Sequence, residues 1–356
     1  MDLVPGFQEL LQGLSPTMTA PSFASLCTLV SGWLFSGRGI VTRMIVAAGS
    51  GATKHFSSYH RLMSVASWSL DAMGLAVLTV IEPFLGDVVM LGLDDTLARK
   101  RGLRMFGTGM HHDPLASTRS LAFVRWGHSW VVLGVIVDFP FRPGHWIFLP
   151  LLFRLYVNRQ TVAKHGGLPS PADMLEGRCR RVSLSIYGRS YRSRIADQVA
   201  PVFAVPDRPL RIVASEALEG GRGKEAFYST CHEATAEQVI RWYAMRWSVE
   251  VTFRDSKQCL GFEEPQGWSR KAVERTAPLA MLLHTLVVLW FAKEGHRLWQ
   301  PPTHRWYPSK TDPSFSDMLR TLRRASVRQH VLAMALTGRG SRKLARLLEH
   351  AVAMAA

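Results

Sequence analysis

The hydrophobic pattern changes period twice along the chain. Up to about residue 85 it is helical: "PSFASLCTLVSGWLF" and "HRLMSVASWSLDAMGLAVLTVIEPFL" space their apolar residues for helices, and "SLDA" is a helix start. "DVVMLGLDDT" (87–96) then reads as a short buried strand reaching a sheet edge in two acids. "SLAFVRWGHSWVVLGVIV", "HWIFLPLLFRLYV", "RRVSLSIYG" and "RPLRIVASEAL" follow as strands punctuated by Gly and Pro. Helical spacing returns at "TAEQVIRWYAMRWSVEVTFRDSKQ". "WQPPTHRWYPSKTDPSF" (299–315) links to a last basic helix, "DMLRTLRRASVRQHVLAMAL". The order predicts an α/β protein with a helical start and end.

Within the returning helix, residues 243–258 mix polar and apolar positions in an informative way. At about 100° per residue, Tyr243, Arg246, Glu250 and Lys257 share one arc of about 60°. Met245, Val249, Phe253 and Leu260 occupy the adjoining arc, the core face. The polar stripe therefore borders the core. It reads either as a solvated face with i,i+4 ion pairs, worth ~0.2–0.5 kcal/mol each, or as a carboxylate set among cations. Carboxylates from a strand and a helix can hold Mg²⁺ through oxygen ligands, and Arg and Lys beside them can grip phosphates.

Charge favours the second reading. The 356 residues carry 43 Lys+Arg against 27 Asp+Glu, a formal net charge of +16. An excess of that size fits a polyanionic partner such as nucleic acid. Arg320, Arg323, Arg324 and Arg328 line one face of the final helix. The four cysteines are far apart with no CxxC, so neither a zinc site nor a disulfide framework is indicated. "APLAMLLHTLVVLWFA" (277–292) is short of the ~20 residues that span a bilayer and contains His284, so it reads as a buried helix. "MDLVPGFQELLQG" has no basic start or apolar core of a signal peptide. "HHD" (111–113) reads as a loop without further metal ligands, and "GSG" and "GGRG" lack the P-loop ending.

Tyr243, Arg246, Glu250 and Lys257 reproduce the Y-R-E-K spacing of bacterial insertion-sequence DDE transposases, and "LGLDDT" resembles their first-aspartate motif. "HFSSYHRLMSVASWS", "FRLYVNRQ", "EAFYST" and "GWSRKAVERTAPL" are similar to the branch with a DDE-superfamily endonuclease domain, over residues 20–292. The resemblance implies an RNase H-like mixed sheet flanked by helices, with a β-rich insertion at about 178–232. The catalytic domain would span 86–292, after an N-terminal helical DNA-binding region (1–85) and before a basic helical C-terminal region (293–356). It implies Asp94 (or Asp95, if the register shifts) and Glu250 as catalytic metal ligands for Mg²⁺ or Mn²⁺. It further implies Tyr243, Arg246 and Lys257 on DNA phosphates, with Arg254 and Trp247 adding DNA contacts. The implied partners are double-stranded DNA, at inverted repeats and target, and a second copy as a homodimer on DNA. No membrane role is implied, and the implied location is cytoplasmic, at the nucleoid of a bacterium.

One part of the pattern is missing. The second aspartate should end an apolar strand between "FRLY" and the Y-R-E-K helix, and no such motif occurs. Asp138, Asp173 and Asp207 are poor substitutes, and a deletion near 165–182 would explain the gap. The alternative expectation is therefore an internally deleted remnant that binds DNA without cutting it.

Overall fold

The structure is a computed structural model. It describes residues 3–102, 104–113, 116–117, 123–156, 171–177, 179–186, 189–202, 205–218, 224–229, 231, 233–301 and 310–337. The chain divides into two compact units, Met1–Asn158 with Glu250–Ala356, and Arg159–Val249.

The first unit opens with five helices: α1 Pro5–Gln12, α2 Ala20–Ser36, α3 Val41–Ala48, α4 Phe56–Ser64 and α5 Leu70–Ile81. Prolines sit in the first turns of α1 and α2, where their missing N–H has no partner to lose. Gly37 ends α2 in the left-handed conformation (φ 61°). The Ser69 hydroxyl accepts the Ala72 N–H at the start of α5, as "SLDA" predicts.

Four strands follow, β1 Met90–Arg99, β2 Gly109–His112, β3 Val124–Asp138 and β4 Trp146–Tyr156. β3 is the hub: β1 pairs with it on one side, and β2 and β4 pair with successive parts of the other, all antiparallel. Its run "WVVLGVIV" is buried except at Val131 and Leu133, which are partly exposed, as suits a central strand with helices on both faces. The segment expected as the loop "HHD" is instead β2 and its end: His111 and His112 pair with Arg125 and Val124.

Helices cover both faces. α5 packs on one, where Gly74 approaches the Leu151 carbonyl so closely that a Cβ would sit 2.1 Å from the oxygen. Arg154 on β4 clasps Asp71 of α5 with two nitrogens, at 2.8 and 2.9 Å. The other face takes α8 (Trp247–Leu260) and α9 (Arg270–Trp290, extended by Phe291–Leu298). The Thr252 hydroxyl donates to the Phe148 carbonyl (2.9 Å) and that of Thr285 to the Pro150 carbonyl (3.1 Å). Arg270–Leu298 is long and apolar enough to cross a membrane, and 89% of its most apolar window is buried in the protein. α10, Phe315–Thr337, completes the unit.

The second unit is a four-stranded antiparallel meander: β5 Arg180–Ile186, β6 Arg189–Val202, β7 Val205–Ala217 and β8 Lys224–Ser229. One face packs Leu184, Ile195, Val213 and Phe227 against Val239 and Ile240 of α7 (Ala236–Met245). Ala196 and Ala214 meet Leu175 of α6 (Pro171–Glu176). Thr235 and Gln238 form a reciprocal capping box at the start of α7.

The molecule is thus a mixed α/β protein with two antiparallel sheets. Every pairing among the described residues is antiparallel, and none supplies the parallel strand of the expected mixed sheet. The connections between β3 and β4 and along the meander are hairpins, which can join only antiparallel neighbours.

Candidate functional site

The expected polar stripe rests on one continuous helix through 243–258. The chain makes two helices there. α7 ends at Met245 and α8 begins at Trp247, with Arg246 at the joint. Its N–H bonds the Tyr243 carbonyl (3.0 Å), and its own carbonyl accepts the Val249 N–H (2.8 Å). Both are i→i+3 bonds, tighter than α-helical ones.

The joint divides the predicted residues. Tyr243, Arg246 and Trp247 belong to the second unit. There the Tyr243 ring lies 4.6 Å from Phe227, the Arg246 guanidinium stacks 5.1 Å over Tyr243, and Trp247 is exposed. Asp94, Glu250, Arg254 and Lys257 belong to the first unit.

In the first unit β1 decides which aspartate faces the helices. Directly opposed residues in an antiparallel pair share a face, and faces alternate along a strand. Asp94 opposes Val132, which opposes Phe153, both buried. Asp95 opposes Val131, which opposes Arg154, the residue that clasps α5. Phe148, on the Asp94 face by the same parity, meets Phe253 of α8 edge-on at 6.2 Å. Asp94 therefore lies on the face covered by α8 and Asp95 on the face covered by α5.

The direction of α8 follows from two anchors. Thr252 bonds Phe148, in the row of Met90 and Ile136 at the start of β1. Lys257, farther along the helix, donates its ammonium to the Leu97 carbonyl (2.8 Å) near the end of β1. The helix thus runs along the sheet in the sense of β1; Asp94 lies between the two anchored rows, and Glu250 comes before the first of them. Asp94 Oδ1 accepts the N–H of Asp95 (3.0 Å).

Lys257 has a structural task as well. Burial lowers its pKa, an effect that Glu263, 3.7 Å away, opposes. Arg254 is exposed and pairs with Asp255 (3.0 Å). The sequence did not single out Lys100 or Glu263, yet they fasten the end of β1 to the turn after α8. Lys100 donates to the Glu263 and Pro265 carbonyls (2.7 and 2.9 Å), and the Arg99 N–H reaches the Glu263 carboxylate (3.3 Å). Burial lowers the Lys100 pKa to about 8 against the pull of Glu263 and Glu264. "LARKR" gives no sign of which cation turns inward.

The substitutes for a second aspartate have other roles or places. Both carboxylate oxygens of Asp138 accept the Gly144 N–H (3.0 and 3.1 Å), closing the β3–β4 turn. Asp138 also lies six residues along β3 from the partner of Asp94, about 20 Å away. Asp173 is on α6 and Asp207 on β7. Asp113, beside the two histidines, is buried between Arg125 (2.7 Å) and Arg99 (3.3 Å). Burial pushes its carboxyl up, but the Ala116 N–H and the two guanidiniums outweigh it, and the net pKa is lowered.

Among the described residues no three His, Cys, Asp or Glu side chains converge as a metal site. Two carboxylates suit one Mg²⁺, which keeps several waters and takes substrate phosphates as further ligands. They are too few to bracket the pair of ions that holds both attacking and leaving oxygens. No protein-family model and no curated protein matches this chain.

Proposed function

We propose that the chain is a DNA-binding protein of the DDE transposase type. Asp94 and Glu250 would be its metal-binding carboxylates, and inverted-repeat ends and target DNA its substrates. The observation that carries the reading is that Asp94 lies on the sheet face covered by α8, the helix that bears Glu250. The Y-R-E-K spacing and the net charge of +16 support it. A divalent ion held there would polarise water for attack on a phosphodiester. The protein's own part would be to carry the two carboxylates on β1 and α8, with α8 held to β4 by Thr252 and to β1 by Lys257, and with Glu263 holding the end of β1.

The test uses the purified chain with Mg²⁺ or Mn²⁺ and DNA carrying the sequences that flank its gene. The expected result is end nicking that Asp94→Asn and Glu250→Gln each reduce by two or more orders of magnitude, with unchanged circular dichroism. Nicking by Asp94→Asn at the wild-type rate would remove Asp94 from the chemistry.

A second reading has its own observation. The described residues hold no third carboxylate at the site and no parallel strand. Both fit an internally deleted remnant that binds DNA without cutting it. Salt-sensitive binding with no nicking under either metal would select this reading.

A further inference from the structure

Among the described residues β1 is an edge strand, its outer side met by other groups along one half and by none along the other. N–H and C=O groups of an antiparallel strand point alternately to its two sides. The Lys100 N–H bonds the Trp126 carbonyl across to β3, so even-numbered residues turn toward β3. Odd-numbered residues turn outward, and three independent contacts agree. The Asp95 N–H is taken by the Asp94 side chain, the Leu97 carbonyl by Lys257 and the Arg99 N–H by Glu263. Among the described residues nothing meets the outward backbone groups of Leu91 and Leu93. Their side chains are 63% and 66% exposed, and the neighbouring Val88 and Val89 are exposed too. From Leu91 to Leu93 the strand has no Pro, charge or bulge; the acids that guard an edge, Asp94 and Asp95, begin just beyond it.

We infer that the Leu91–Leu93 edge of β1 pairs antiparallel with the same edge of a second copy of this chain. The register follows from charge and from the outward parity. Outward residues must oppose outward residues, which leaves a few two-fold registers. Centring on Asp94 would set Asp94 against its own copy. Centring on Leu91 would set Asp95 against Asp87 of the other chain. Centring on Leu93 would set Leu91 against Asp95. Centring on Gly92 sets each Leu91 against the other chain's Leu93, Met90 against Asp94 and Val89 against Asp95. It opposes no two acids, and it brings Gly92, which has no Cβ, against its own copy, where opposed strands approach most closely, about 4.5 Å between Cα atoms. Four leucines then cover one another on the α5 face. The pairing needs no DNA and does not depend on the transposase reading.

Light scattering of the full chain without DNA tests it. The expected mass is that of two chains, falling to one in Leu93→Lys, an exposed position whose change leaves the melting temperature in place. An equimolar mixture of Leu91→Cys and Leu93→Cys chains should oxidise to a heterodimer with the bond mapped between those two positions. Hydrogen-bonded pairs hold Cα atoms about 5.5 Å apart, within disulfide reach. A single-chain mass at all concentrations overturns the inference. A dimer that survives Leu93→Lys, or cross-links that avoid the 91–93 pairing, overturns it equally. Loss of nicking with the dimer intact would count against the proposed function alone.

Discussion

At the residue scale, two buried polar side chains show what a sequence cannot announce. His284, taken as a sign against a membrane span, is buried and stacks on Phe315 with centroids 4.1 Å apart. Burial lowers its pKa from 6.5 to about 3. The unfolded chain therefore binds a proton that the folded one refuses. The His284 contribution is intact above pH 6.5 and is lost as pH falls, by about 1.4 kcal/mol per unit, until the folded value near 3 is reached. His284→Leu should move the acid-unfolding midpoint to lower pH, read by tryptophan fluorescence, and a midpoint unmoved would remove His284 from acid unfolding. Arg275 is the other case. In the sequence it is one cation in "SRKAVERTAPL". In the fold it is buried, stacked 4.3 Å over Trp68, and donates to the carbonyls of Leu62, Met63, Ala66 and Trp68. Its role is to tie the segment between α4 and α5 to α9, and nothing in the local pattern separates it from Arg270, which is exposed.

At the element scale, helix and strand types were legible because hydrophobic period reports them directly. The hub run "WVVLGVIV" and the helix "APLAMLLHTLVVLWFA" formed as expected. "MLGLDDT" formed a strand too, but one exposed along Leu91 and Leu93 where a buried strand was expected, because only β3 pairs with it among the described residues. What the period does not carry is where an element stops or breaks. One joint at Arg246 replaces the expected helix by two, and "HHD" became a strand end because β3 offered it a ladder. The close approach of α5 to the sheet gives a test. At Gly74 an added methyl meets the backbone oxygen of Leu151, which has no rotamer to escape into. Gly74→Ala should destabilise by about 1–3 kcal/mol despite the better helix propensity of alanine. A higher denaturation midpoint for the variant would show that α5 can shift outward freely.

At the scale of the whole molecule, the net charge is the property most open to measurement. Binding to random-sequence duplex should weaken linearly on a log–log plot against salt, with a slope close to −0.9 for each phosphate neutralised. Affinity that ignores salt would remove DNA from the proposed partners. Asp94 and Glu250 stood out as candidates in the sequence by their spacing, and only the parity of β1 put Asp94 and Asp95 on different faces. Lys100, Glu263 and the open edge at Leu91–Leu93 were not legible, since each depends on what another part of the chain places beside it.

By itself the sequence determined the order and type of the elements, the basic balance and the candidate carboxylates. These are properties of period and composition, set residue by residue along the chain. The tertiary structure alone decided which face of β1 is covered, which lysine becomes a buried brace and which backbone groups have no neighbour among the described residues. Those outcomes follow from strand register and helix docking, and these are fixed by contacts between residues more than a hundred positions apart, such as Leu97 with Lys257.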